Sequence, residues 1–283
     1  MTIAALLAAV KRLLRTSETI HARFARDLSR VLREAERRMI PVLVDALNSP
    51  SVTRTFDAEV LIAAREQLRL ALTEAGYDAL VADATGTRLD ALIAKVQATA
   101  RVEAAFLPDV RQGVMALQRV MHLDLLSQGD EVARQVWRAV MRSVIGQVPT
   151  TDAVQDLGAA LDISQAQTRT LFDTNVSVFQ RQVSALQAPD STEATYLYTG
   201  PVDGLMRPFC RDLVGQVLTR QAIQLLDNGQ LGNVYLTGGG YNCRHLWTWT
   251  AGIAELETMA DTGQRVPEVK QTLRFITNVK RAA

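Results

Sequence analysis

The chain has 283 residues, of which 48% are hydrophobic, 22% charged and only 5% aromatic, and its formal net charge is +1. This composition belongs to a globular protein packed mainly by Ala, Leu and Val. It excludes a disordered chain, and the near-neutral balance excludes a global pull towards nucleic acid or acidic membrane. Two cysteines exclude a disulfide framework, and no apolar run reaches the length of a membrane span.

The first run, MTIAALLAAVKRLLR, places its basic residues after the apolar ones. That is the reverse of a secretory signal, so folding in a cytoplasm is expected. Ile3, Leu6, Leu7, Val10, Leu13 and Leu14 recur at the spacing of one helical face. A second helix is predicted from Thr16 or Ser17 towards Asn48, with Pro41 kinking or splitting it. Further helices are predicted over about 56–75, 86–104, 108–127, 129–147, 151–161 and 164–187, separated by EAGYD, DATGT, LPD, SQGD, VPTT and DIS.

Two features of this helical part bear on function. Arg23, Arg26, Arg30, Arg33 and Arg37 are spaced 3, 4, 3 and 4 apart, so they share one side of a helix, while Phe24, Leu28, Val31, Ala35 and Met39 share the other. Such a stripe suits a phosphate backbone or an acidic partner, although Asp27 and Glu34 at its edge also suit a solvated face. The run AVQDLGAALDISQAQTRTLFDT (153–174) reads as two helices joined by a tight turn. Ser164 would cap the second of them, and Gln165, Gln167 and Arg169 would be its candidate base readers, as in a helix-turn-helix DNA-binding protein. Two helices joined by a short turn are equally at home in any bundle.

From Thr195 the texture changes. TYLYTG, NVYLTG and LWTWT read as short strands, and FCRDLVGQVLTRQAIQLLDNG between the first two reads as one helix ending at Asn228-Gly229. The expected fold is therefore mainly α: a long helical N-terminal region followed by a small α+β C-terminal domain. Its parts are a helical region over 1–150, a helical connector over 151–193, the α+β unit over 194–265, and an amphipathic helix or tail over 266–283.

The α+β unit gathers the scarce residue types. GGGYNCRHLWTWT (238–250) holds one of the 2 cysteines, one of the 3 histidines and two of the 3 tryptophans. Cys243 and His245 are two apart and would leave the same face of a strand, and Cys210 lies upstream where the fold can bring it back. Zinc would take Cys210, Cys243 and His245, with Asp203 the nearest candidate for a fourth place. A cysteine- or zinc-dependent hydrolase would instead use Cys210 or Cys243 activated by His245, with Asp203 or Asn242 orienting the ring. The third reading is packing: two small apolar thiols, one hydrogen-bonded histidine, and Trp247 and Trp249 as core or interface anchors.

YTGPVDGLMRPFCRDLVGQ followed by GGGYNCRHLW resembles the C-terminal part of the Mu F-like head-morphogenesis proteins, minor capsid proteins of tailed bacteriophages. The family pattern of an Asp, a Thr-Arg pair, a Cys, a Gly and a final Cys-Arg-Cys or Cys-Arg-His is matched by Asp203, Arg207, Cys210, Gly215, Cys243, Arg244 and His245. Met206 stands where Thr is frequent, and His245 where a third Cys is more common. The preceding TRTLFDTNVSVFQRQV resembles the helix that family members place before this element, and the likeness covers about residues 150–250.

The resemblance implies a virion component of the head rather than an enzyme. Such a protein is assembled in the host cytoplasm, associates with the portal or the inner surface of the capsid, and assists head assembly or DNA ejection. Portal or major capsid protein, packaged DNA and further copies of the chain are the implied partners, and a membrane is not. On this reading Gly240, Asn242 and Trp247 join the matched residues in a structural knot, with or without zinc.

Overall fold

The computed structural model describes residues 2–49, 57–100, 108–186, 188, 191–250 and 252–273. Helix α1, Ile3–Asn48, takes in both N-terminal amphipathic runs without a break. Thr16 and Ser17 do not cap a second helix: the Thr16 hydroxyl donates to the Arg12 carbonyl at 3.2 Å, and the Ser17 hydroxyl lies 3.1 Å from His21 Nε2. Each hydroxyl finds its partner one turn away within the same helix, so neither marks a helix start. Pro41 does not split α1 either: it lies on the exposed side of a helix that continues to Asn48, so its ring meets no packed neighbour element.

Asp57 caps α2, Ala58–Glu74, its Oδ1 accepting from the N–H groups of Glu59 and Val60. A glycine at φ 94, Gly76, ends that helix and admits α3, Tyr77–Thr85, a short helix that the sequence reading assigned to no element. After α4, Thr87–Ala100, the long α5 spans Pro108–Gly146 and passes straight through SQGD. Gly129 there makes room rather than a turn: a Cβ on it would stand 2.6 Å from the ring of Tyr77, whose hydroxyl donates to the Leu125 carbonyl at 2.9 Å.

Helix α6, Thr150–Ala185, likewise runs unbroken through DIS. Ser164, expected as a cap, is fully buried inside it and donates to the Ala160 carbonyl and to Gln135 Oε1. The turn that a helix-turn-helix requires is therefore absent over 161–164.

The strands begin at β1, Thr195–Thr199. The single helix expected after it is three elements. Helix α7, Pro208–Leu213, stops before Gly215, whose φ of 86 suits only glycine. Strand β2, Val217–Thr219, follows, and Thr219 then caps α8, Arg220–Gln224. NVYLTG is not a strand but a single helical turn, α9, Val234–Thr237. Strand β3, Leu246–Trp249, completes an antiparallel sheet of order β2-β1-β3, with Tyr198 opposite Trp247. Helix α10, Ala254–Thr262, and α11, Glu268–Thr272, follow; the rest of the expected C-terminal amphipathic helix lies outside the described residues. The fold is mainly α with a small antiparallel sheet near the C-terminus.

The chain forms two compact units woven from separate stretches. One comprises 1–22, 86–118 and 173–283, and the other 23–85 and 119–172. Among its described residues the second holds helices and no strand. Phe24 stacks on Phe172 at 3.7 Å, and Leu28, Val31, Ala35, Met39, Leu68, Val136 and Leu157 are buried in it. The first holds the sheet and the cysteines. No helix among the described residues is long and apolar enough to cross a membrane.

Candidate metal centre

Three short elements deliver the soft ligands. Helix α7 supplies Cys210, the turn before β3 supplies Cys243 and His245, and β1 lays Tyr198 beside them. Asn242 enters the turn in a left-handed conformation, φ 55, with its N–H donating to the Thr174 hydroxyl at 3.1 Å. The result places Cys210, Cys243 and His245 with their ligand atoms all within 4.8 Å of one another, only 2%, 5% and 3% exposed. These three residues could hold a metal ion.

The sulfurs lie 3.7 Å apart and both cysteines are free, so they are thiols in contact and not a disulfide. The hydrogen bond between them favours the thiolate on Cys243 despite its burial, with the Arg181 guanidinium and His245 acting in the same direction. That hydrogen bond, and then burial, push the Cys210 thiol the other way, far above its ordinary range. The Gly239 N–H donates to Cys243 Sγ at 3.0 Å, and the Tyr198 hydroxyl lies 3.5 Å from Cys210 Sγ and 3.7 Å from Cys243 Sγ. His245 stacks near-parallel to the Tyr198 ring at 5.5 Å, and its Nε2 is buried without a hydrogen-bond partner.

The three glycines of GGGYNCRH serve close approach. A Cβ on Gly239 would run into Cys210 Sγ, and one on Gly240 into Gln230 Oε1. On Gly238 it would come within 2.8 Å of Arg181 Nη2. Arg181, 3% exposed on α6, holds the knot from behind. Its Nε and Nη2 donate to the His245 carbonyl at 2.8 and 2.6 Å, Nη2 also to Cys243 at 2.7 Å, and Nη1 to Leu236 at 3.2 Å. Arg207 donates to Gln230 Oε1 and to the Gly239 carbonyl, both at 2.7 Å, and Trp247 Nε1 donates to the Val234 carbonyl at 3.2 Å. Gly215 ties the sheet to the following chain, donating to the Tyr198 carbonyl at 3.0 Å and accepting from Val266 at 2.8 Å.

Asp203, expected as the fourth ligand, stands outside the Cys/His group. Its Oδ1 accepts from Arg244 Nη2 at 2.7 Å and from the Leu205 N–H at 3.0 Å. Arg244 reaches Glu18 on α1 at 3.5 Å with its other nitrogen, so this carboxylate pair fixes the arginine between them. Burial raises the Glu18 carboxyl above its usual range, Arg244 and His21 pulling against that and Asp203 adding to it.

Arg23, Arg26, Arg30, Arg33 and Arg37 are exposed along α1 and belong to the unit that does not contain the Cys/His group. Arg30 and Arg37 pair with Asp27 and Glu34 at 3.9 and 2.9 Å.

Sequence reasoning assigned no role to Arg181, Tyr198 or the relay in which Ser17 meets His21 Nε2 and His21 Nδ1 meets Asp173 Oδ1 at 2.6 Å. The relay copies the order of a hydrolytic triad, yet Ser17 is 7% exposed in mid-helix, where the backbone N–H groups are spent on helix bonds and none is left to stabilise an oxyanion. It anchors α1 to α6. Arg181 is the later arginine of TRTLFDTNVSVFQRQV, the run that resembles the family's preceding helix, and it stands among Val176, Phe179 and Val183, an apolar stripe in which an arginine needs carbonyl partners. No protein-family model, curated protein or solved structure matches the chain.

Proposed function

We propose that this chain is a structural minor head protein of a tailed bacteriophage, of the Mu F-like kind, working at the portal or the inner capsid surface in head assembly or DNA ejection. The observation that carries the reading is the use made of the residues behind the resemblance. Asp203 and Arg244 pair, Arg207 clamps Gly239, Gly215 ties β1 to the chain after α10, and Cys210, Cys243 and His245 meet in a sealed cluster. Each holds backbone in place, and a cluster at most 5% exposed offers no substrate a route to its sulfurs. This favours a structural knot over a hydrolase. The unbroken α6 removes the turn on which the DNA-regulator reading rested.

Zinc is the ion that suits the cluster. Two thiols and an imidazole form a soft donor set, and the orphaned Nε2 of His245 is accounted for by a ligand. Arms of about 2.3 Å in a tetrahedron set two sulfurs about 3.8 Å apart, close to the 3.7 Å here. The ion's role would be to cross-link α7 to the β3 turn.

The exposed arginine stripe is offered to packaged DNA, portal or capsid protein, and the amphipathic helices to further copies of the chain. The test is to produce the chain together with the portal and major capsid proteins of the phage that encodes it and to sediment the shells. The reading expects the chain to travel with the shells, in far fewer copies than the capsid protein. A chain that stays wholly in the supernatant, and is missing from purified virions by mass spectrometry, overturns it.

A further inference from the structure

We propose that Tyr198 is the fourth ligand of the metal centre, its phenolic oxygen taking the place that the sequence reading gave to Asp203; this rests on the metal reading above. The geometry is the first argument. The Tyr198 oxygen lies 3.5 and 3.7 Å from two sulfurs that are themselves 3.7 Å apart. A four-coordinate zinc with arms of about 2.3 Å to sulfur and about 2.0 Å to oxygen has edges of about 3.8 Å between sulfurs and about 3.5 Å between sulfur and oxygen. The three atoms therefore already outline one face of the coordination tetrahedron, and His245, whose ligand nitrogen lies within 4.8 Å of both sulfurs, supplies the remaining vertex.

The second argument is closure. Among the described residues no further Cys, His or carboxylate belongs to the group, and Asp203 is held by Arg244. Tyr198 is fully buried, as a closed structural site requires of all its ligands. It cannot swing away. Its N–H donates to the Gln216 carbonyl at 2.9 Å, its carbonyl accepts from Gly215 at 3.0 Å, and its ring packs against Trp247 at 4.4 Å.

Charge is the third. A dication with two thiolates, one phenolate and a neutral imidazole carries one net negative charge. Arg181 supplies one buried positive charge against it, held on the carbonyls of Cys243 and His245, two of the ligand residues. As the ion binds, the phenolic proton and the proton held by the two sulfurs leave to solvent, and metal–sulfur and metal–oxygen bonds replace the contacts among Cys210, Cys243 and the Tyr198 hydroxyl.

The experiment loads the full chain with cobalt(II) as a spectroscopic probe and measures zinc affinity by competition with a coloured chelator, for wild type and Tyr198→Phe. The variant keeps the ring and loses only the oxygen. Wild type is expected to bind one ion with tetrahedral ligand-field bands and with the ultraviolet difference band of a metal-bound phenolate. Tyr198→Phe is expected to lose that band and to bind zinc at least tenfold more weakly, since even outer partners of a metal site are worth about 10–100-fold. Unchanged affinity in the variant with no phenolate band in wild type overturns the proposal while leaving the metal reading intact. Failure of wild type to bind either ion overturns both. The band is read on wild type alone, so the test survives a variant that does not fold.

Discussion

Glu18 shows what a single half-buried charge does in this molecule. Burial raises its carboxyl above the ordinary 4.5, so between that value and the raised one the folded chain holds a proton that the unfolded chain has released. Folding is then favoured by protonation: Glu18 contributes stability while it is protonated, and the contribution is lost as pH rises through its folded value. In Glu18→Gln the charge is gone but Arg244 keeps Asp203 at 2.7 Å. Denaturant unfolding at a series of pH values should show wild type gaining on the variant as pH falls from neutrality towards 4.5; a pH-independent difference between the two would refute this account. The same cluster shows where the sequence stopped being legible. Cys210, Cys243 and His245 were found by scarcity and spacing, but Asp203 was assigned by proximity in sequence. No spacing rule reveals that a carboxylate is already held by an arginine 41 residues away. Tyr198 and Arg181 were hidden for a related reason, because an aromatic or a cation within an apolar run reads as packing until its polar tip is seen to touch sulfur or carbonyl.

At the scale of elements, hydrophobic period was read well and punctuation badly. The faces Phe24, Leu28, Val31, Ala35 and Met39 against Arg23, Arg26, Arg30, Arg33 and Arg37 divide into buried and exposed as the 3.6-residue period requires. The breaks at Pro41, SQGD and DIS do not exist, because Pro41 faces water, Gly129 accommodates Tyr77, and Ser164 bonds within its own helix. In the C-terminal unit the error ran the other way. FCRDLVGQVLTRQAIQ has a helical pattern, yet Gly215 and the pairing of β2 with β1 divide it, a tertiary preference overriding a local one. If Pro41 is merely tolerated in α1, Pro41→Ala restores one backbone hydrogen bond in an otherwise intact helix. The gain expected is up to roughly 3 kcal/mol, measured by denaturant unfolding followed by far-ultraviolet circular dichroism. A loss of stability would instead mean that α1 needs the local geometry that proline imposes.

For the whole molecule, the question is what the metal reading commits the fold to. The helical unit buries Phe24 against Phe172 and has its own apolar core, containing none of the three cluster residues. The other unit gathers three short strands and several helices of six residues or fewer around the cluster, elements too short to hold alone. Removing a structural ion should therefore act locally, as metal binding and folding are linked only for the parts the ligands tie together. The tryptophans report the difference, because Trp247 and Trp249 lie on β3 beside the cluster and Trp137 lies on α5 in the helical unit. Treatment with a strong chelator should abolish most of the near-ultraviolet circular dichroism and shift the tryptophan emission to the red. The far-ultraviolet helical signal, dominated by α1, α5 and α6, should largely persist. Restoring zinc should return both optical signals together. If the helical signal collapses in step with the tryptophan signal, the ion is holding more than the knot; if neither moves, Cys210, Cys243 and His245 are packing and the fold stands without a metal.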